Sequence, residues 1–178
     1  MEVDLLPDLP FSQSYWIIPG VFLAGEHPSG NDEFSTQLRI LALVQLGLSV
    51  FYDLTERNDG TIDYDKILFR ESKEANRVAE YKNFPIQDFI APSVRTIKTI
   101  LDSIDQDITS NKKIYVHCFA GVGRTGTVVG CYLVRHGLSG QAALEKIAEL
   151  RQGLASRFMR SPEAQSQVDL VLHWKNGQ

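Results

Sequence analysis

Cys118 and Arg124 stand six positions apart in the stretch Ile114-Tyr115-Val116-His117-Cys118-Phe119-Ala120-Gly121-Val122-Gly123-Arg124-Thr125-Gly126-Thr127. A thiol and a guanidinium at this spacing suit attack on a bound phosphate. The stretch opens with β-formers, turns through small residues and runs into a helical pattern. The backbone N–H groups of such a loop turn inward, and the following helix presents its N-terminus. Phe119, Ala120, Gly121, Val122, Gly123 and Arg124 are therefore expected to form an anion nest sized for a phosphate. The same dipoles favour thiolate over thiol, which predicts a depressed pKa for Cys118 and a nucleophile at neutral pH. Arg124 offers a planar fork for two phosphate oxygens. Thr125 can donate its hydroxyl to the sulfur and help it leave when an intermediate breaks down. Glycines at 121, 123 and 126 let backbone approach the anion with no Cβ in the way. His117 reads either as a positioning residue for this loop or as a satisfied core histidine at a strand end.

Cleaving a phosphate monoester also needs a proton for the leaving oxygen, from a group on a separate loop. Asp88, in Phe84-Pro85-Ile86-Gln87-Asp88-Phe89-Ile90-Ala91-Pro92-Ser93, follows a predicted strand and precedes a predicted helix. It is the candidate acid, and in a second step the base for water; a helix N-cap is the competing role. Asp53 falls inside a strand. Glu56 suits either orienting Arg124 or a solvated loop charge, and the second is the expectation.

Two other phosphate loops share part of this pattern. Gly121 to Gly126 also spells G-x-G-x-x-G after a strand, the dinucleotide fingerprint. That fingerprint needs a second strand after the helix, and residues 138–152 continue as another helix instead. A Walker loop is excluded because no lysine follows the last glycine.

The remaining chain supplies elements to hold these residues. Trp16 to Gly25 reads as two short strands around a Pro19-Gly20 turn. Asn31 or Asp32 caps a helix to about Leu46, with Phe34, Leu38, Leu41 and Val44 as its apolar face and Gly47 as its stop. Residues 49–54 form a buried strand, and 55–60 a loop. Tyr64 to Ala75 suits a helix. Residues 80–86 form a strand that Pro85 confines to an edge or an end. Pro92-Ser93 opens a helix with Val94, Ile97, Ile100, Leu101 and Ile104 apolar. Lys112 to His117 is the strand feeding the cysteine loop. Helices follow near 124–136, 140–152 and 162–175, with Gly137 and Gly153 ending the first two. This order predicts one α/β domain with a mixed, largely parallel central sheet flanked by helices.

At 178 residues the chain suits a single domain with a substantial core. Residues 1–14 read as an N-terminal arm and 15–178 as the domain. The formal net charge of −4 carries no overall basic field for nucleic acid or anionic lipid. Two cysteines make no disulfide framework. The acidic start lacks a signal peptide's basic region, and no apolar run is long enough to span a bilayer. These features predict a cytoplasmic protein whose thiols stay reduced. Cys131 is expected to pack in the core, with a redox role toward Cys118 as the alternative. His27, His117, His136 and His173 show no ligand spacing, so neither metal nor other cofactor is expected.

His117-Cys118, five intervening residues, then Arg124-Thr125-Gly126 resembles the signature of the cysteine-dependent protein tyrosine phosphatase superfamily. The likeness covers most of the chain. Trp16 to Gly25, Leu54-Thr55-Glu56, Gly130 to Val134 and Ser161-Pro162-Glu163 are similar to segments of its small dual-specificity members, those of bacterial type included. The resemblance implies the protein tyrosine phosphatase-like fold, a phosphocysteine intermediate on Cys118 and the acid role of Asp88. It also implies that Gln165 or Gln167 matches a closing-segment glutamine, for which helix-surface placement is expected. Residues 57–77 form a longer loop than in the smallest members. The chain lacks a Lys-Asn-Arg-Tyr segment, which implies a shallow pocket open to phosphotyrosine and also to phosphoserine or phosphothreonine. Phe119, Ala120 and Val122 stand where inositide phosphatases often place lysines. The partner expected is therefore a phosphorylated protein or peptide met by a monomer, with a small phosphorylated metabolite or lipid, or phosphate recognition without turnover, as alternatives.

Overall fold

The computed structural model describes residues 9–57 and 59–178. Most of the arm expected over 1–14 lies outside these residues, and Ser14 already begins the first strand. In chain order the elements are β1 (Ser14–Ile18), β2 (Phe22–Gly25), α1 (Glu33–Gln45), β3 (Val50–Asp53), α2 (Asp65–Glu74), β4 (Glu80–Asn83), α3 (Val94–Thr109), β5 (Ile114–His117), α4 (Gly123–Arg135), α5 (Gly140–Leu150) and α6 (Gln165–His173). The sheet order is β1-β2-β5-β3-β4. The β1–β2 hairpin is antiparallel; β2, β5, β3 and β4 run parallel. This is the mixed, largely parallel α/β domain expected from the element order.

Alternation along the strands divides the core in two. Phe22, Ala24, Val50, Tyr52, Ile114 and Val116 face the layer built by α3, α4, α5 and α6. Leu23, Phe51 and Tyr115 face α1 and α2. The same period sends His117 to the α1–α2 side and leaves Cys118 on the other. Strand β5 lies at the centre, so the loop after it leaves a fully buried strand. Edge strand β4 precedes Pro85, as the proline requires.

Local signals end most helices. Asp32 caps α1 through Ser35 N–H, Ser93 caps α3 through Thr96 N–H, and Ser139 caps α5 through Ala142 N–H. Gly47 and Gly137 take positive φ just past α1 and α4. Gly153 does not stop α5, which ends at Leu150 with Arg151 as its cap. The buried Arg151 side chain turns the chain there by donating to Met159 O and Ser156 O.

The apolar face expected on α1 holds at Val44 and fails at Phe34 and Leu38. Phe34 and Leu38 are exposed, while Thr36, Ile40, Leu43 and Val44 are buried. The helix carries apolar residues on two stripes. Packing against Leu23, Phe51 and α2 selects the one through Ile40, Leu43 and Val44.

Candidate active site

The carboxyl ends of three parallel strands converge here, with Gly25, His117 and Asp53 in register across the sheet. Ligands in open α/β sheets bind at such ends. Cys118 follows β5 and is almost fully buried, and Arg124, in the first turn of α4, is buried too. Two glycines explain the tightness of the loop between them. A Cβ on Gly121, at φ +69°, would lie 2.5 Å from the carbonyl carbon of Gly25. A Cβ on Gly126 would lie 2.2 Å from Ser161 Oγ. Those Cβ positions point into protein, so close packing of the loop, rather than approach to the anion, demands glycine there.

Arg124 gathers groups from two other loops. Its Nη1 donates to Asp59 Oδ2 at 2.5 Å and to Ile86 O at 3.2 Å. Its Nε lies 3.2 Å from Asp88 Oδ1, at an angle that makes no hydrogen bond. Burial works against the charge of Arg124; the Asp59 hydrogen bond, with Cys118 and Asp88 close by, outweighs it and holds the guanidinium above its usual range. The expected acid thus sits at the arginine, with its carboxylate half exposed. Ser93, not Asp88, caps α3.

Asp59 is a residue the linear pattern did not reveal. The expectation that Glu56 stays a solvated loop charge agrees with its exposure. The arginine-orienting place is filled three residues later instead. Thr125 is buried and donates to Gly25 O at 3.5 Å, so in this conformation its hydroxyl faces the back of the loop. Gln165 is on the helix surface, but Gln167 is not. Gln167 is fully buried, its Oε1 accepts from Ala164 N–H, and its amide packs against Gly123. Surface placement therefore fails for Gln167, because the first turn of α6 docks onto the start of α4.

His117 is fully buried, and its ring bonds Tyr64 Oη through Nε2 at 2.6 Å. Its Nδ1 lies 3.4 Å from Cys118 O. Burial lowers its pKa despite the neighbouring Asp53. Asp53 itself is buried and accepts from Thr55 N–H, Thr55 Oγ1 and Tyr81 Oη. Burial alone would raise its pKa; His117 and these donors outweigh it and hold the carboxyl below the usual range. His27 closes the group, its ring 4.9 Å from that of His117. Burial, then His117, drives the His27 pKa down to about 3. Two histidines that show no ligand spacing in sequence thus meet one carboxylate in space. Cys131 is buried in α4 and packs in the core, with its thiol pKa pushed up by burial alone.

The 57–77 insertion borders the site. Its second half is α2, packed on α1. Its first half separates two cavities that share His27 and Thr61. One, of about 640 Å³, lies against the phosphate loop at Phe119, Ala120 and Val122, with Ile62, Ser156 and Met159 opposite. The other, of about 530 Å³, is lined by Asp53, Glu56, Asp63 and Asp65, with Arg57 beside them.

This architecture has counterparts. Residues 11–169 match the family described as PTP-SAK, Swiss Army Knife protein, DSP-PTPase phosphatase domain. The chain belongs to this family. Mouse dual specificity protein phosphatase CDC14B is 33% identical over 145 residues, which span 76% of this chain and 26% of that protein. Phosphatidylglycerophosphate phosphatase PTPMT2 of Arabidopsis thaliana is 38% identical over 74 residues, 40% of this chain and 32% of its own. The chain thus spans about a third or less of the length of these curated relatives. Among solved structures, a mutant form of Tk-PTP superposes with a TM-score of 0.67 at 28% identity, covering 88% of this chain and 91% of its own. PTPMT1 in complex with PI(5)P shares the fold, with a TM-score of 0.64 at 18% identity over 90% and 93% of the two chains. Among the described residues, no helix of this DSP-PTPase domain is long and apolar enough to cross a membrane.

Proposed function

We propose that this chain hydrolyses phosphotyrosine, and also phosphoserine or phosphothreonine, in proteins through a phosphocysteine intermediate. The Cys118 thiolate attacks phosphorus while the bond to the substrate oxygen breaks. Asp88 gives its proton to that departing oxygen. Water then attacks phosphorus, the S–P bond breaks, and Asp88 takes the water's proton. Arg124 and the N–H groups of residues 119–124 hold the equatorial oxygens throughout. The Thr125 hydroxyl turns from Gly25 O to the leaving sulfur in the second step. His117 positions the loop from behind. Every step uses side chains and water, and none calls for a metal.

One observation carries the reading. Asp88, thirty residues before Cys118 in sequence, stands 3.2 Å from Arg124, which belongs to the cysteine loop. A carboxylate beside the arginine that closes the cysteine loop suits turnover better than phosphate recognition alone. The 640 Å³ cavity favours a second reading, a phosphorylated small molecule or lipid headgroup, since its lining mixes Gln13, Asn31 and Ser156 with Ile62, Phe119 and Met159. The relatives named for phosphatidylglycerophosphate point the same way. Kinetics on phosphotyrosine and phosphothreonine peptides, phosphatidylglycerophosphate and an inositide decide between them. The first reading expects the highest kcat/KM on phosphotyrosine peptide; a lipid preferred over both peptides overturns it.

A further inference from the structure

The group behind Cys118 has more structure than support for a loop requires. His27, Asp53 and His117 are all buried, and one ligand atom from each lies within 4.8 Å of the others. His27 Nε2 stands 3.9 Å from Asp53 Oδ2, and His117 Nδ1 stands 3.9 Å from Asp53 Oδ1. These pairs are too long for hydrogen bonds. The residues come from the ends of β3 and β5 and the segment just after β2, where the sheet register brings them side by side.

The nitrogens facing away from the carboxylate are already held. His27 Nδ1 meets Ser29 Oγ at 2.8 Å, and His117 Nε2 meets Tyr64 Oη at 2.6 Å. Fixing the remote nitrogen orients an imidazole so that its other nitrogen can ligate. His27 and Asp53 also line the 530 Å³ cavity, which provides an entry path and room for a water ligand.

We propose that His27 Nε2, His117 Nδ1 and one Asp53 oxygen form a binding site for a Zn²⁺-class divalent cation. Two imidazoles and one carboxylate suit such an ion and not Mg²⁺ or Ca²⁺, which take oxygen ligands. Tetrahedral zinc holds such donors about 3.4 Å apart. The His27 Nε2–Asp53 Oδ2 pair at 3.9 Å must therefore close by roughly half an ångström, and the remaining donors, within 4.8 Å of one another, by up to about 1.4 Å. His27 Nδ1 now accepts from Ser29 N–H at 3.1 Å, so ligation moves its proton to Nδ1, where Ser29 Oγ accepts it. His117 Nδ1 now donates toward Cys118 O at 3.4 Å, so ligation gives up that contact and moves the proton to Nε2, where Tyr64 Oη accepts it. Asp53 keeps Thr55 and Tyr81 as donors on its remaining lone pairs. The bound ion ties the strand end that carries Cys118 to both neighbouring strand ends, independently of which phosphate the loop turns over.

The test uses the full chain with Cys118→Ser, which removes the competing thiolate ligand. Titration with Zn²⁺ or Co²⁺ is expected to show one equivalent bound, with Co²⁺ ligand-field absorption and no sulfur charge-transfer band. Zn²⁺ is expected to raise Tm, and Mg²⁺ to leave it unchanged. His27→Gln should weaken binding at least tenfold and abolish the Tm rise. If that variant does not fold, Tyr64→Phe, which removes only a hydroxyl behind His117, is expected to weaken binding roughly tenfold. Absence of binding in the Cys118→Ser chain, or affinity unchanged by both variants, overturns the site.

Discussion

Three loops meet at Arg124, and two of them are built on opposite principles. Residues 118–123 leave a central strand, enter a buried helix and pack against Gly25 without room for a methyl group. Residues 55–63 leave the neighbouring strand, reach outward to Glu56 and Arg57, and return to place Asp59 on the guanidinium. The first loop is positioned by close packing, the second by hydrogen bonds: Thr55 to Asp53, Glu56 N–H to Asp59, and the Arg124 guanidinium to Asp59. Close packing fixes the reacting atoms, while the polar loop orients the clamp and shapes what surrounds the phosphate. A change in the first loop should remove the reaction; one in the second should adjust it.

The largest effect tests the first half of that contrast. Cys118→Ser is expected to lower kcat on p-nitrophenyl phosphate by on the order of 10⁴-fold or more while phosphate still binds. A wild-type rate in that variant removes the covalent route. Next, Asp88→Asn should cost about 10²-fold on substrates with poor leaving groups and much less on good ones; an equal loss across leaving groups would take the acid role from Asp88. Asp59→Asn sharpens the contrast directly. It keeps the loop but discharges the contact to Arg124, and a loss of roughly tenfold in kcat/KM is expected from the weakened hydrogen bond. A loss as large as that of Cys118→Ser would mean that the two loops are not separate in kind.

The smallest effect is on stability. His27 has its pKa driven down to about 3 in the folded protein, against about 6.5 when unfolded. Between these values the unfolded chain binds the extra proton, so its contribution is fully present above about pH 6.5 and is lost as pH falls toward 3. Thermal melts over that window should show Tm falling with pH, less steeply in His27→Gln. Identical slopes would show that another group carries the dependence.

The contrast also explains what could be read from residue order. Helix caps, the Gly47 and Gly137 stops and the cysteine loop are short-range signals, so Asp32, Ser93 and the Cys118–Arg124 spacing were legible at once. The place of Asp88 beside Arg124 was legible because a proton donor was sought on a separate loop before a helix. Asp59 was not, because an aspartate in a polar, aperiodic loop has the same local signature whether it faces water or a guanidinium. Asp53 and His27 escaped for a different reason. Their grouping with His117 exists only through the β2-β5-β3 strand order, which residue spacing does not contain. The face of α1 failed at Phe34 and Leu38 because they and the buried Ile40 and Leu43 are equally apolar, and only the neighbouring sheet chooses between them.

A Cβ on Gly121 would lie 2.5 Å from Gly25, so the β1–β2 hairpin backs the cysteine loop. Gly126 leans in the same way on Ser161. The shape of the loop is therefore borrowed from two segments distant in sequence. An anion that bound residues 119–124 would stabilise these contacts by mass action and leave fraying that spares both segments untouched.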